Sequence, residues 1–212
     1  MPLTAERLIQ LIWELNDEAV PRANGQRTGL RWFYGHINPF AEPTGKDATE
    51  CAWATGLARK LNGLPVVKER PQYPNSSREA DLFVQDEANN RWWIEIKGAW
   101  KWYTQSGQLR KNASFKKWLV NAGEDCAKLS QLQPPDATHL ALIVIGFTCL
   151  DDPMANELAE LNQRICSNSS HDWTMTPSGG PVEQVYSWDS RFLASANIWS
   201  RSLVTRNAVA PC

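Results

Sequence analysis

The spacing of hydrophobic positions changes from segment to segment along this chain, and the changes predict its elements. Leu8, Ile9, Ile12 and Leu15 recur at helical spacing, which predicts a first helix capped by Thr4 and ended by Pro21. Residues 21–45 contain Pro21, Gly25, Gly29, Gly35, Pro39, Pro43 and Gly45 and read as an irregular connection. A second helix follows, with Thr44 and Asp47 as start signals, Gly63 as the stop, and Glu50, Ala54, Leu57 and Leu61 on its inward stripe. Residues 64–69, 80–85 and 91–97 have strand character, and the polar residues 86–90 are short enough to join the last two as a hairpin. A helix over residues 113–132 places Phe115, Leu119, Ala122, Cys126 and Leu129 on one face, and Pro134 and Pro135 close it. The apolar run 140–147 predicts a strand covered on both faces. Residues 153–165 read as another helix, 166–181 as a loop, and the last thirty residues as one strand (182–188) with a weakly organised tail. Helix, helix, three strands, helix, strand, helix is the order of an α/β fold with a mixed central sheet flanked by helices.

Composition narrows this picture. Of 212 residues, 42% are hydrophobic and 21% charged, which permits a substantial core and excludes wholesale disorder. A net charge of −1 excludes a uniformly basic nucleic-acid coat but not a local basic surface. The 11 tryptophans each carry an N–H that needs a partner when buried, so several are expected at a boundary or groove. Five cysteines without a C-x-x-C pair argue against a disulfide framework or a cysteine-rich zinc site, and for reduced, mostly packed thiols in a cytoplasmic protein. The N-terminal stretch carries acids, unlike a signal peptide, and no apolar run is long enough to cross a bilayer. Residues 44–47 lack the earlier glycine and the Ser/Thr of a P-loop, and the three histidines have no ligand spacing.

The segments around Asp81 and Glu95 carry the candidate chemistry. Side chains alternate along a strand, so Glu95 and Lys97 share a face. If residues 86–90 form the hairpin loop, Gln85 pairs with Arg91, and counting inward puts Asp81 opposite Glu95. Opposed side chains stand about 4.5–5.5 Å apart at Cβ. Two carboxylates that close repel unless a cation or a proton lies between them, and hard oxygen ligands suit Mg²⁺ completed by water and phosphate oxygens. The Lys97 ammonium beside them can assist an attacking water and stabilise charge building on a phosphate.

Asp81, thirteen intervening residues, and Glu95-Ile96-Lys97 resemble the signature of the PD-(D/E)XK, or restriction-endonuclease-like, nuclease superfamily. The resemblance implies an α-β-β-β-α-β core, covering roughly half the chain. It implies Asp81 and Glu95 as metal ligands, the Ile96 carbonyl reaching the same ion, and Glu50 as the further acid of the first core helix, binding or orienting a second ion or water. Ala80 stands where the family has a proline. The expected organisation is a single domain. Residues 1–44 form an N-terminal helix and loop packed on the core, 45–165 the nuclease-like core, and 166–212 a C-terminal loop and strand addition. The expected activity is Mg²⁺-dependent hydrolysis of phosphodiester bonds in DNA, with Mn²⁺ as a substitute metal. The rivals are a catalytically silent module that binds nucleic acid or a protein partner, and an RNA-cleaving relative. Between Ile96 and Gly123 there are six basic residues and no acid. Of these, Lys101, Arg110, Lys111, Lys116 and Lys117 are the expected phosphate contacts, with aromatic residues interleaved. Loops of the core, a homodimer or a protein partner are the expected sources of sequence specificity.

Overall fold

The computed structural model describes residues 2–19, 48–100, 115–132, 134–149, 155–168, 173–177, 182–185 and 191–203. Helix α1 (Ala5–Ala19) starts as expected, with Thr4 Oγ1 accepting the Arg7 N–H at 3.2 Å. Helix α2 (Ala48–Lys60) buries Ala54 and Leu57, with Leu61 directly after it. Strands β1 (Val66–Glu69), β2 (Leu82–Gln85) and β3 (Arg91–Trp100) form an antiparallel meander. Helix α3 (Phe115–Gln131) then leads to strand β4 (His139–Cys149), which pairs with β3 in parallel. Helix α4 (Ala155–Asn168) and strands β5 (Thr174–Pro177), β6 (Val182–Val185) and β7 (Arg191–Ser202) complete the chain. The seven strands make one mixed sheet in the order β1-β2-β3-β4-β7-β5, with β6 also paired to β7.

Period-two alternation divides the core into two layers. Leu82, Val84, Ile94, Ile96, Ala141, Ile143 and Ile145 pack with α1 and α2 on one face. Phe83, Trp93, Leu140, Leu142 and Val144 pack on the other with Ala122, Cys126 and Leu129 of α3 and Leu161 and Ile165 of α4. The chain is thus an α/β fold with a mixed sheet between two pairs of helices. No described helix is long and apolar enough to cross a membrane.

Two expectations fail at the C-terminal end. Residues 166–181 are not simply a loop, because they contain the end of α4 and strand β5. The expected weak tail instead holds β7, paired antiparallel with β4 from His139↔Ser202 to Cys149↔Phe192. Its sequence, RFLASANIWSRS, mixes small, polar and large residues without clean alternation. Only the uncovered edge of β4 selects it as a strand.

Five of the tryptophans do not take the expected boundary position. Trp53, Trp92, Trp93, Trp173 and Trp199 are all buried. The Trp199 indole N–H donates to Asn162 Oδ1 at 2.9 Å, whereas those of Trp92, Trp93 and Trp173 have no hydrogen-bond partner among the described residues. Apolar ring area outweighs the unmade hydrogen bond: Trp93 stacks on Tyr73 at 5.1 Å, and Trp92 on His139 at 4.2 Å. Of the two cysteines whose side chains are described, Cys126 is a buried free thiol and Cys166 an exposed one.

The β2–β3 hairpin register is held by Asp86. Its carboxylate accepts from the backbone N–H of Leu3 (2.7 Å), Ala88 (2.9 Å) and Asn90 (2.8 Å), and from the Asn90 amide (2.9 Å). Although burial acts the other way, these hydrogen bonds hold the carboxyl below its ordinary range. Asp86→Ala is expected to cost about 2–4 kcal/mol in urea unfolding, because it leaves several N–H groups unmatched. A loss below about 0.5 kcal/mol would show that the loop closes without it.

Candidate functional site

The hairpin register is the one expected from the loop length. Gln85 pairs with Arg91 and Leu82 with Ile94, so Asp81 lies one step beyond the ladder, opposite Glu95. Strand β2 begins two residues later than the expected 80, and that difference shapes the site. Beyond Ile94, β3 continues to Trp100 with β4 on one side and no strand on the other among the described residues.

Two carboxylates take the place of the missing strand. Asp81 Oδ2 accepts the Ile96 N–H at 2.6 Å, and Glu50 Oε1 accepts the Gly98 N–H at 3.2 Å. In an extended strand a residue's N–H and C=O point to the same side, which puts the Ile96 carbonyl on this open edge too. Glu50 reaches the edge from α2 on one face of the sheet, while Glu95 and Lys97 project toward α3 on the other. Asp81, Glu95, Lys97 and Glu50 therefore line a single cleft of about 510 Å³.

Three residues that the sequence reading missed complete the floor. Tyr73 donates its hydroxyl to Glu95 Oε1 at 2.8 Å, and Lys128 Nζ lies 2.6 Å from the same oxygen. Asp125 receives Lys97 at 3.0 Å and Lys128 at 3.4 Å. Lys97 is also 3.2 Å from Glu50. The available signal was positional: Asp125 and Lys128 flank the buried stripe Ala122, Cys126, Leu129 of α3 and so had to face the sheet. Tyr73 had no signal, because it lies in an irregular segment between β1 and β2.

Electrostatically the site is strained toward negative charge. Burial, with the Asp81 charge beside it, pushes Glu95 up to about 8 against the pull of Lys128. Burial likewise raises Asp81, opposed by the Ile96 N–H and Lys97, and raises Glu50, opposed by Lys97 and the Gly98 N–H. Lys97 is held above its ordinary value despite desolvation, by Glu50 and Asp125. The described lining contains six carboxylates (Glu50, Glu79, Asp81, Glu95, Glu124, Asp125) and four cations (Arg70, Arg78, Lys97, Lys128), a formal charge of −2.

These residues fit a hard divalent cation. Among the described residues, no hydrogen bond reaches Asp81 Oδ1 or Glu95 Oε2, while the other oxygen of each carboxylate is pinned. No described group of three His, Cys, Asp or Glu side chains forms a cage by itself; hard cations commonly complete their shell with carbonyl, water and substrate oxygens.

Of the expected phosphate contacts, Lys101, Arg110 and Lys111 lie outside the described residues. Lys116 and Lys117 are in the first turn of α3, and their side chains lie outside the description. Arg70 and Arg78 line the cleft instead, on the segment between β1 and β2; Arg70 is paired with Glu79 at 2.8 Å. Comparison with protein-family models, curated proteins and solved structures returned no match.

Proposed function

We propose that this chain is a metal-dependent phosphodiesterase of the restriction-endonuclease-like kind, acting as a DNA endonuclease. The observation that carries this reading is the convergence of Asp81, Glu95 and Lys97 on one cleft at an open strand edge, each carboxylate with one oxygen pinned and one unengaged. Asp81 Oδ1, Glu95 Oε2 and the Ile96 carbonyl are the groups that would hold Mg²⁺. The bound ion would supply Lewis-acid polarisation of a phosphate oxygen and a lowered pKa for the attacking water.

The remaining work falls to the protein's own side chains. Lys97, fixed between Glu50 and Asp125, presents an ammonium to charge developing on the phosphoryl oxygens. The Tyr73 hydroxyl and Lys128 fix the orientation of Glu95, so its second oxygen needs little reorganisation when it engages a ligand. No side chain need form a bond to phosphorus, since water can displace the leaving group directly. The acid-free basic run over residues 97–117 favours a polyanionic substrate.

The test is digestion of supercoiled plasmid, single-stranded DNA and RNA by the purified chain in Mg²⁺, in Mn²⁺ and in EDTA. Metal-dependent cutting of plasmid is the expected result, whereas preferential cutting of RNA would reassign the substrate. A second reading, a catalytically silent module that binds nucleic acid or a protein, is favoured by one observation: every carboxylate on the cleft floor already serves as a strand cap or an ion-pair partner. Absence of both cleavage and calorimetric Mg²⁺ or Mn²⁺ binding would decide for it.

A further inference from the structure

Five charged side chains form one alternating chain across the cleft floor: Glu50, Lys97, Asp125, Lys128 and Glu95. Both oxygens of Glu50 are engaged, Oε1 by the Gly98 N–H and Oε2 by Lys97, each at 3.2 Å. Asp125 is ion-paired through both oxygens, Oδ2 with Lys97 at 3.0 Å and Oδ1 with Lys128 at 3.4 Å, although Oδ2 makes no hydrogen bond among the described residues. Asp81 and Glu95 differ, since each keeps one oxygen with neither a hydrogen bond nor an ion pair among the described residues.

We infer that Glu50 and Asp125 are not metal ligands but positioning residues, which hold the Lys97 and Lys128 ammoniums over the floor so that the cleft takes a single divalent ion. This rests on the nuclease reading of the same site and departs from the role that the family resemblance implies for Glu50. Charge supports it independently. With all its carboxylates ionised the described cleft lining carries a formal −2, which one divalent cation neutralises, while a second would leave +2 beside two ammoniums. Lys97 and Lys128 are only 20% and 16% exposed, so water screens that repulsion weakly. The two ammoniums would supply, from the chain itself, the positive charge that a second ion would otherwise bring to the phosphate. They remain in place when metal enters, because Asp125 holds both.

The experiment is titration of the full chain with Mn²⁺ alone, read by electron paramagnetic resonance and calorimetry, for the wild type, Glu50→Gln, Asp81→Asn and Lys97→Met. One bound ion is expected in the wild type and in Glu50→Gln, with binding weakened at least about tenfold in Asp81→Asn. Lys97→Met uncovers Glu50 and Asp125, so it is expected to tighten Mn²⁺ binding about tenfold or to admit a second ion. Two ions in the wild type and one in Glu50→Gln would overturn the inference and leave the nuclease reading standing. No bound ion in the wild type would overturn both. Should Lys97→Met fail to fold, the wild-type and Glu50→Gln stoichiometries decide alone.

Discussion

Asp81→Asn and Lys97→Met are each expected to lower Mg²⁺-dependent DNA cleavage by about 10²–10³-fold or more without unfolding the protein. The choice of Asn matters. Asp81 Oδ2 accepts the Ile96 N–H at 2.6 Å on the open edge of β3, and alanine would leave that donor unmatched, confounding lost chemistry with lost stability. An amide oxygen keeps the hydrogen bond and removes the charge. At Lys97, methionine retains most of the stem that crosses the floor while deleting the ammonium 3.2 Å from Glu50 and 3.0 Å from Asp125. The two losses should differ in kind. Asp81→Asn weakens metal binding, so part of its defect should recover at high Mn²⁺. Lys97→Met acts on charge building at the phosphate, so its defect should persist at metal concentrations that saturate the first ion's site. Single-turnover plasmid cleavage across a metal titration, with thermal unfolding as the folding control, separates these cases. Wild-type rates in both variants would sink the proposed mechanism.

The second large effect is on stability against pH. In EDTA, the protein is expected to lose stability as pH rises from about 4.5 to about 8, by up to about 1.4 kcal/mol per unit from Glu95 alone. Glu95 releases its proton near its ordinary 4.5 in the unfolded chain but near 8 when folded, because burial and the Asp81 charge oppose ionisation. Between those values the folded state binds more protons than the unfolded state, so raising pH favours unfolding. The contribution is fully present below 4.5 and lost through 8. Asp81 and Glu50 are raised as well and act with the same sign. His139 is lowered by burial and pulls the other way near 6.5, which makes Glu95→Gln the necessary control: its amide does not titrate, and most of the slope should vanish. Mg²⁺ binds only the ionised site, so its stabilising effect should grow across the same window. Urea midpoints at several pH values, with EDTA and with Mg²⁺, measure both effects. Identical flat profiles for wild type and Glu95→Gln would contradict the electrostatic account.

Most of what positions the candidate site follows from local rules. The polar five-residue connection at 86–90 sets the hairpin register, and strand alternation then puts Asp81, Glu95 and Lys97 on one face. The four-three-four spacing of Glu50, Ala54, Leu57 and Leu61 aims an acid at the sheet, and Glu50 does reach β3. By contrast, Tyr73, Asp125 and Lys128 are distant from that motif in sequence, and nothing local marks them as its partners. The roles of Asp125 and Lys128 exist only because α3 packs over the face of β3 that carries Glu95, and Tyr73 reaches that face from the irregular segment between β1 and β2.

The sequence by itself determined the element order up to α4, the two-faced character of β3 and β4, and the meeting of Asp81 with Glu95, because these depend on side-chain periods and on a loop too short to allow another register. Tertiary structure decided the rest. It made a strand of residues 191–202 by offering the free edge of β4, and it buried tryptophans whose N–H groups go unmatched because their rings fill the layers. It also turned three acids and two lysines into one alternating chain. Local patterns specify which way a side chain faces, whereas pairing across a cleft depends on which distant surfaces close upon each other.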